Sequence, residues 1–277
     1  MDDERVARCL TIAGSDSGGG AGIQADLKAF VAAGAHGTCA ITALTAQNTL
    51  GVEAVHAVPP DIIVAQVRSV VEDIGVDAVK VGMLGTPETI EAVVEALALV
   101  GDIPVVVDPV MVSESGAELL EADAQEALRS RILPLASVLT PNLPEARRLA
   151  DDDGRLTPAE LAAAIRAMGP GAVIVTGGHA DGADVLDDGE PLRILGEMHP
   201  DGAAHGSGCT HSSTVAALLA RGVPLREAAV EARRVAGESI ARGLRGIGAG
   251  PGPVDVLGVA ARATARAARP PSSSSLA

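Results

Sequence analysis

Apolar residues along this chain fall into two alternating arrangements. Short, mostly apolar runs occupy residues 9–13, 39–44, 77–81, 104–107, 137–139 and 172–175. Runs of that length predict strands buried on both faces. Between them, residues 23–33, 60–74, 86–99 and 157–168 carry helical spacing, as do a segment through Glu126 and Arg129, the apolar stretch behind Cys209, residues 224–242, and a last helix from Val254. Thr86-Pro87-Glu88 puts an N-cap before a proline at the first helical position, and Thr157-Pro158-Ala159-Glu160 adds a capping box. The polar section 181–202 predicts an antiparallel edge hairpin, and residues 270–277, with four serines, a disordered tail. Strand and helix alternate throughout. The pattern predicts one α/β domain over residues 1–269, with a mainly parallel central sheet and helices on both faces.

Composition sharpens this picture. Hydrophobic residues make up 47% of the 277, yet Phe30 is the only aromatic, so the core must be built from Val, Ile, Leu and Ala. The formal charge is −15, and Lys28 and Lys80 are the only lysines. That balance argues against nucleic acid or an anionic membrane as partner. An acidic, lysine-poor surface suits a high-salt cytoplasm; GC-rich codon usage explains the missing lysines but not the surplus carboxylates. Cys9, Cys39 and Cys209 are too few and too scattered for a disulfide framework or a zinc site. The N-terminus lacks the apolar core of a signal peptide and no run is long enough to span a membrane, so a soluble cytoplasmic protein is expected.

Candidate chemistry follows the predicted strands. His205-Gly206-Ser207-Gly208-Cys209-Thr210 leads into a helix, and a glycine-rich turn at a helix start makes an anion site. Cys209 there is either a thiol whose pKa is lowered by the helix or a small buried hydrophobe. Gly14-Ser15-Asp16-Ser17-Gly18-Gly19-Gly20-Ala21-Gly22 follows the first strand, but it fits neither a P-loop nor the dinucleotide fingerprint. It serves a ligand or close helix packing. Gln47, at another strand end, offers an amide that can pair with a heterocycle edge or merely stabilise a loop. Asp108 suits metal or phosphate chemistry or the capping of a turn. Asn142 and Glu145 suit a magnesium shell or an ordinary helix cap. In a parallel sheet these strand ends gather along one edge.

Thr11 to Asp26, Ile41 to Thr49, Lys80-Val81-Gly82-Met83-Leu84, Asp108-Pro109-Val110-Met111, Thr140-Pro141-Asn142-Leu143-Pro144-Glu145-Ala146 and His205 to Thr210 together resemble hydroxymethylpyrimidine/phosphomethylpyrimidine kinases of thiamine biosynthesis. The resemblance covers residues 8–258. It implies the three-layer α/β/α ribokinase-like fold, ATP and Mg2+ as cofactors, and a homodimer. It also implies phosphorylation of 4-amino-5-hydroxymethyl-2-methylpyrimidine and then of its monophosphate. By resemblance, Gly14, Asp26, Gln47, Met83 and Val110 line the pyrimidine pocket. Asp108, Asn142, Thr176 and Gly178 serve the nucleotide, and Asp108, Asn142 and Glu145 the metal. Gly206, Ser207, Gly208 and Cys209 form the anion hole, with Cys209 as base. Two departures stand out: Glu114 lies in a segment, and Thr176 at a position, where many members carry lysine. Rival readings are a pyridoxal kinase, a non-catalytic pyrimidine-binding module, and a cysteine-nucleophile acyl transferase using His205 or His211 as base.

Overall fold

The computed structural model describes residues 5–112, 116, 118–177, 182–200 and 202–267. The elements run β1 (Ala7–Asp16), α1 (Gly22–Ala32), β2 (Ala35–Gln47), β3 (Val52–Ala57), α2 (Pro60–Asp73), β4 (Ala78–Val81), α3 (Pro87–Leu97), β5 (Val105–Val107) and α4 (Ala122–Ala127). They continue with β6 (Val138–Leu139), α5 (Leu143–Leu149), α6 (Pro158–Arg166), β7 (Ala172–Val175), β8 (Asp184–Asp187), β9 (Pro191–Ile194), α7 (Ser207–Ala220), α8 (Leu225–Ala241) and α9 (Val259–Ala267). One sheet takes the order β3-β2-β1-β4-β5-β6-β7-β8-β9. Its six central strands are parallel; β3 and β8 run against them at the two sides, and β9, antiparallel to β8, returns to their direction at the edge.

The two-residue period of the strands divides the core into two layers. Leu10, Ile12, Val79, Val81 and Val107 face α2 to α6, where Ile63, Ile90, Leu149 and Ile165 are buried against them. The alternate positions Cys9, Val106, Val138 and Ile174 face Phe30 of α1, Val215 of α7 and Ala229 of α8. Helices thus cover both faces, as the alternation of elements predicts. Lys80 sits between Val79 and Val81, so its side chain belongs to the layer of α1 and α7.

Three expectations need correction. The strand β3 was not foreseen: almost all of its residues are exposed, and it is held by pairing with β2 from Ala43↔Ala57 to Gln47↔Val52 rather than by burial. The segment through Glu126 and Arg129 is not one regular helix; α4 passes into a π turn at Leu128–Ile132 and a 3-10 turn at Leu133–Leu135. The last helix starts at Val259 rather than Val254. Val254 N–H bonds His205 O at 3.1 Å, and the Asp255 carboxylate caps α9 by accepting from Val259 and Ala260 N–H at 2.7 and 3.0 Å. The expected tail, 270–277, lies outside the described residues. Among those described, no helix is long and apolar enough to cross a membrane.

Candidate active site

Parallel register aligns the carboxyl ends of β1, β2, β4, β5, β6 and β7 along one edge. Gly14, Gln47, Met83, Val110, Asn142 and Thr176 all fall there. Gly14 and Met83 touch: a Cβ on Gly14 would lie 2.6 Å from Met83 Cε, so the end of that side chain would have to move. Gln47, half-buried, accepts from Thr45 Oγ1 at 3.2 Å through its side-chain oxygen. Its backbone is clasped by Ser17, whose hydroxyl donates to Gln47 O at 2.7 Å and accepts from Gln47 N at 2.8 Å. Asn142 and Thr176 join β6 and β7 through a parallel bridge. Gly178 and Glu114 lie outside the described residues.

The anion site forms at the start of α7. Gly206 takes the left-handed conformation (φ 84°) and no side chain caps the helix. A side chain at Gly206 would be both strained and driven into Gly20 O. Ser207 N–H closes a turn onto Ala204 O at 2.9 Å. Of the four residues expected to bind an anion, Ser207 thus has its N–H occupied, while those of Gly206, Gly208 and Cys209 have no backbone acceptor among the described residues.

Behind this turn lies a buried charge cluster that sequence reasoning missed. Lys80, fully buried, places Nζ 2.9 Å from Asp26 Oδ1 and 3.6 Å from Asp108 Oδ2. Asp26 is completed by Thr11 Oγ1 at 2.6 Å and Ser213 Oγ at 2.7 Å, and Asp108 accepts from Ser212 Oγ at 3.2 Å. The expectation that Asp26 lines the pyrimidine pocket is corrected here. Its carboxylate has no exposed surface, and its oxygens hold Lys80 and α7 in place. Burial alone would lower the Lys80 pKa, but Asp26, then Cys209 and Asp108, outweigh it and keep the ammonium charged. Asp108 is raised, by burial first and by Asp26 against the pull of Lys80. The local signal was available: a lysine inside a strand whose neighbours are all apolar, in a chain with only two lysines.

Cys209 also departs from expectation. The helix start was expected to lower its pKa, yet burial pushes the thiol up to about 12, with Asp108 and Asp26 adding to the rise and Lys80 and Gly22 N–H opposing it. That direction argues against the thiolate that a base or an acyl-transferase nucleophile requires, although the side chain is only partly buried. Asn142 and Glu145 take the alternative left open for them, a complete capping box. Glu145 N–H donates to Asn142 Oδ1 at 2.9 Å, and Asn142 N–H donates to Glu145 Oε2 at 2.9 Å. Asn142 Oδ1 thus faces its own helix. Burial raises the Glu145 pKa to about 8, with Asp108 contributing next. Among the described residues, no group of three His, Cys, Asp or Glu forms a metal cage.

A further residue pair joins the two glycine-rich segments. The Asp16 carboxylate accepts from Gly18, Gly20 and Ala21 N–H at 2.7, 2.9 and 2.9 Å, and lies 3.2 Å from His205 Nε2. Burial works to raise the Asp16 pKa, but the His205 bond and these amides more than offset it, and the net shift is downward.

A sequence model of the phosphomethylpyrimidine kinase family matches residues 16–255. The chain is 47% identical over 253 residues to a hydroxymethylpyrimidine/phosphomethylpyrimidine kinase of Streptomyces coelicolor, covering 89% of this chain and 93% of that one. Among solved structures, a phosphomethylpyrimidine kinase from Clostridium difficile 630 superposes with a TM-score of 0.73 at 40% identity, over 83% of this chain and 96% of the other. A pyridoxal kinase from Staphylococcus aureus in complex with ADP gives 0.83 at 35% identity, over 93% and 96%. The chain belongs to the phosphomethylpyrimidine kinase family, and it is a phosphotransferase with the ribokinase-like architecture.

Proposed function

We propose that this family member uses ATP to phosphorylate the hydroxymethyl group of 4-amino-5-hydroxymethyl-2-methylpyrimidine, and then the monophosphate to the diphosphate, in thiamine biosynthesis. The observation that carries this reading is a single edge holding both an amide at a strand end, Gln47, and an uncapped, glycine-led helix start at Gly206. An amide that donates and accepts suits an aminopyrimidine edge. Gly14, Met83 and Val110 complete the ring pocket. A helix start suits the transferring phosphate, with Thr176 and Gly178 on the nucleotide.

Phosphoryl transfer depends mainly on positioning and charge stabilisation. The N–H groups of Gly208 and Cys209 serve the oxygens of the γ-phosphoryl group, and Lys80, paired with Asp26 and Asp108, helps hold α7 behind them, since Asp26 also accepts from Ser213 Oγ of that helix. Magnesium, when bound, neutralises phosphate charge and orients the triphosphate. Asp108 and Glu145 would hold it, directly or through water: both are buried, Asp108 raises the Glu145 pKa, and a cation relieves the cost of ionising them there. Two carboxylates suffice, since magnesium keeps waters and takes its other ligands from phosphate. Cys209 contributes its backbone donor at this turn.

A second reading, pyridoxal kinase, is favoured by the TM-score of 0.83; pyridoxal likewise offers a hydroxymethyl group on a heteroaromatic ring. ATP consumption with the pyrimidine alcohol, its monophosphate and pyridoxal in parallel decides between them. Turnover of pyridoxal alone would remove the first reading, and binding without any turnover would leave a pyrimidine-binding module. We further place the protein in the cytoplasm as a homodimer, with small molecules as its other partners; the almost fully exposed edge strand β3 is the surface a second copy would cover.

A further inference from the structure

The contact between Asp16 and His205 joins the loop that clasps Gln47 to the turn that opens α7. We infer that Asp16 and His205 are positioning residues whose contact fixes the spacing between the pyrimidine ring and the anion-binding turn, favouring the alcohol step over the monophosphate step. This rests on the functional reading above.

A continuous set of direct contacts spans the site. Ser17 clasps the backbone of Gln47, and Thr45 Oγ1 donates to Ser15 O at 3.0 Å, tying the end of β2 to the loop after β1. Asp16 folds that loop around its carboxylate through three amides. The same carboxylate meets His205 at 3.2 Å, and His205 immediately precedes the left-handed Gly206 that opens α7. On the far side, His205 is fixed by its own carbonyl, which accepts from Val254 N–H at 3.1 Å. Nothing separates the two loops. A Cβ on Gly20 would collide with the His205 ring, and one on Gly206 with Gly20 O.

A fixed spacing does not serve the two steps equally. In each, the acceptor oxygen bonds the γ-phosphorus as the bond to ADP breaks, and the alcohol additionally releases its proton. The alcohol oxygen is one carbon from the ring, so the distance from Gln47 to the turn alone decides whether it meets the phosphorus. In the monophosphate the attacking oxygen lies two bonds further out. The added torsions let it find the phosphorus from a displaced ring.

Three variants test this: His205→Ala removes the contact, His205→Gln keeps a donor towards Asp16, and Gly20→Ala pushes the His205 ring away from the opposite loop without placing alanine at a positive φ. Single-turnover rates are read for the alcohol and the monophosphate, with affinities for each pyrimidine and for AMP-PCP by calorimetry. A misplacement of about 1 Å costs on the order of 10²-fold. That loss is expected for the alcohol in His205→Ala and Gly20→Ala, with less than about a fivefold loss for the monophosphate and affinities within about threefold. His205→Gln should recover most of the alcohol rate. If His205→Ala does not fold, Gly20→Ala alone should show the selective loss in the alcohol step, with His205→Gln as its near-wild-type control. Equal losses in both steps, or losses confined to affinity, overturn the proposal while the functional reading stands. A wild-type protein that turns over neither pyrimidine removes both.

Discussion

Lys80→Met is the most informative single change, because it removes a charge from a place water does not reach. Lys80 Nζ lies 2.9 Å from Asp26 Oδ1, and both side chains have no exposed surface. At an effective dielectric of about 20, that separation corresponds to a gross attraction of roughly 6 kcal/mol. Removing the lysine also removes its own desolvation cost, so the net loss is smaller; breaking a buried pair by deleting one partner costs about 3–5 kcal/mol. We expect that loss in urea unfolding at pH 7, read from the midpoint at unchanged slope. Lys80→Met/Asp26→Asn, which leaves neither charge, should recover more than half of the lost stability. A loss under about 1 kcal/mol would refute the account of the cluster.

Cys209→Ala should slow the alcohol and monophosphate steps alike, by less than about tenfold; a selective loss of about 10²–10⁴-fold in the alcohol step would restore the thiol as base. Because burial raises the Cys209 pKa, iodoacetamide should label it far more slowly at pH 7 than a free thiol, and labelling at the rate of a free thiol would contradict that shift. Gln47→Ala should weaken pyrimidine binding by roughly ten- to a hundredfold, the cost of an unpaired buried amide partner of about 1–3 kcal/mol. Calorimetry should find AMP-PCP affinity unchanged. Glu145, with its folded pKa raised to about 8, contributes stability that is full below its unfolded pKa of about 4.3 and is lost as pH rises through 8. Glu145→Gln should flatten that part of the urea-midpoint curve, and a slope equal to wild type would place the charge elsewhere.

Much of the fold was legible because burial writes its own pattern. Runs such as Ala172–Val175 appear as strands with the predicted bounds, and Thr157 and Thr86 cap their helices as proposed. The errors came where stability has another source. The strand β3 gains its place by hydrogen bonding to β2, so Val52–Ala57 shows little core signal. Asp255, which caps α9, lay inside what was read as helix. In the site, strand-end residues could be placed from sequence because parallel topology gathers them. Lys80 could not be assigned a role, since its partners Asp26 and Asp108 come from α1 and the end of β5 and meet only once the sheet is assembled. The Asn142–Glu145 spacing suits a helix cap first and a magnesium shell second, and the geometry of Glu145 shows it closing the cap.

The sole aromatic side chain, Phe30, is fully enclosed between α1 and the sheet, and the chain has neither tryptophan nor tyrosine. The polypeptide is therefore nearly dark to light near 280 nm. Any heteroaromatic ring that docks against Gln47 brings its own absorption into a chiral, otherwise silent surrounding, so circular dichroism in that band reports the bound ligand directly. Ring binding, nucleotide binding and release can each be followed without an attached dye, and protein concentration must be measured through the peptide bond.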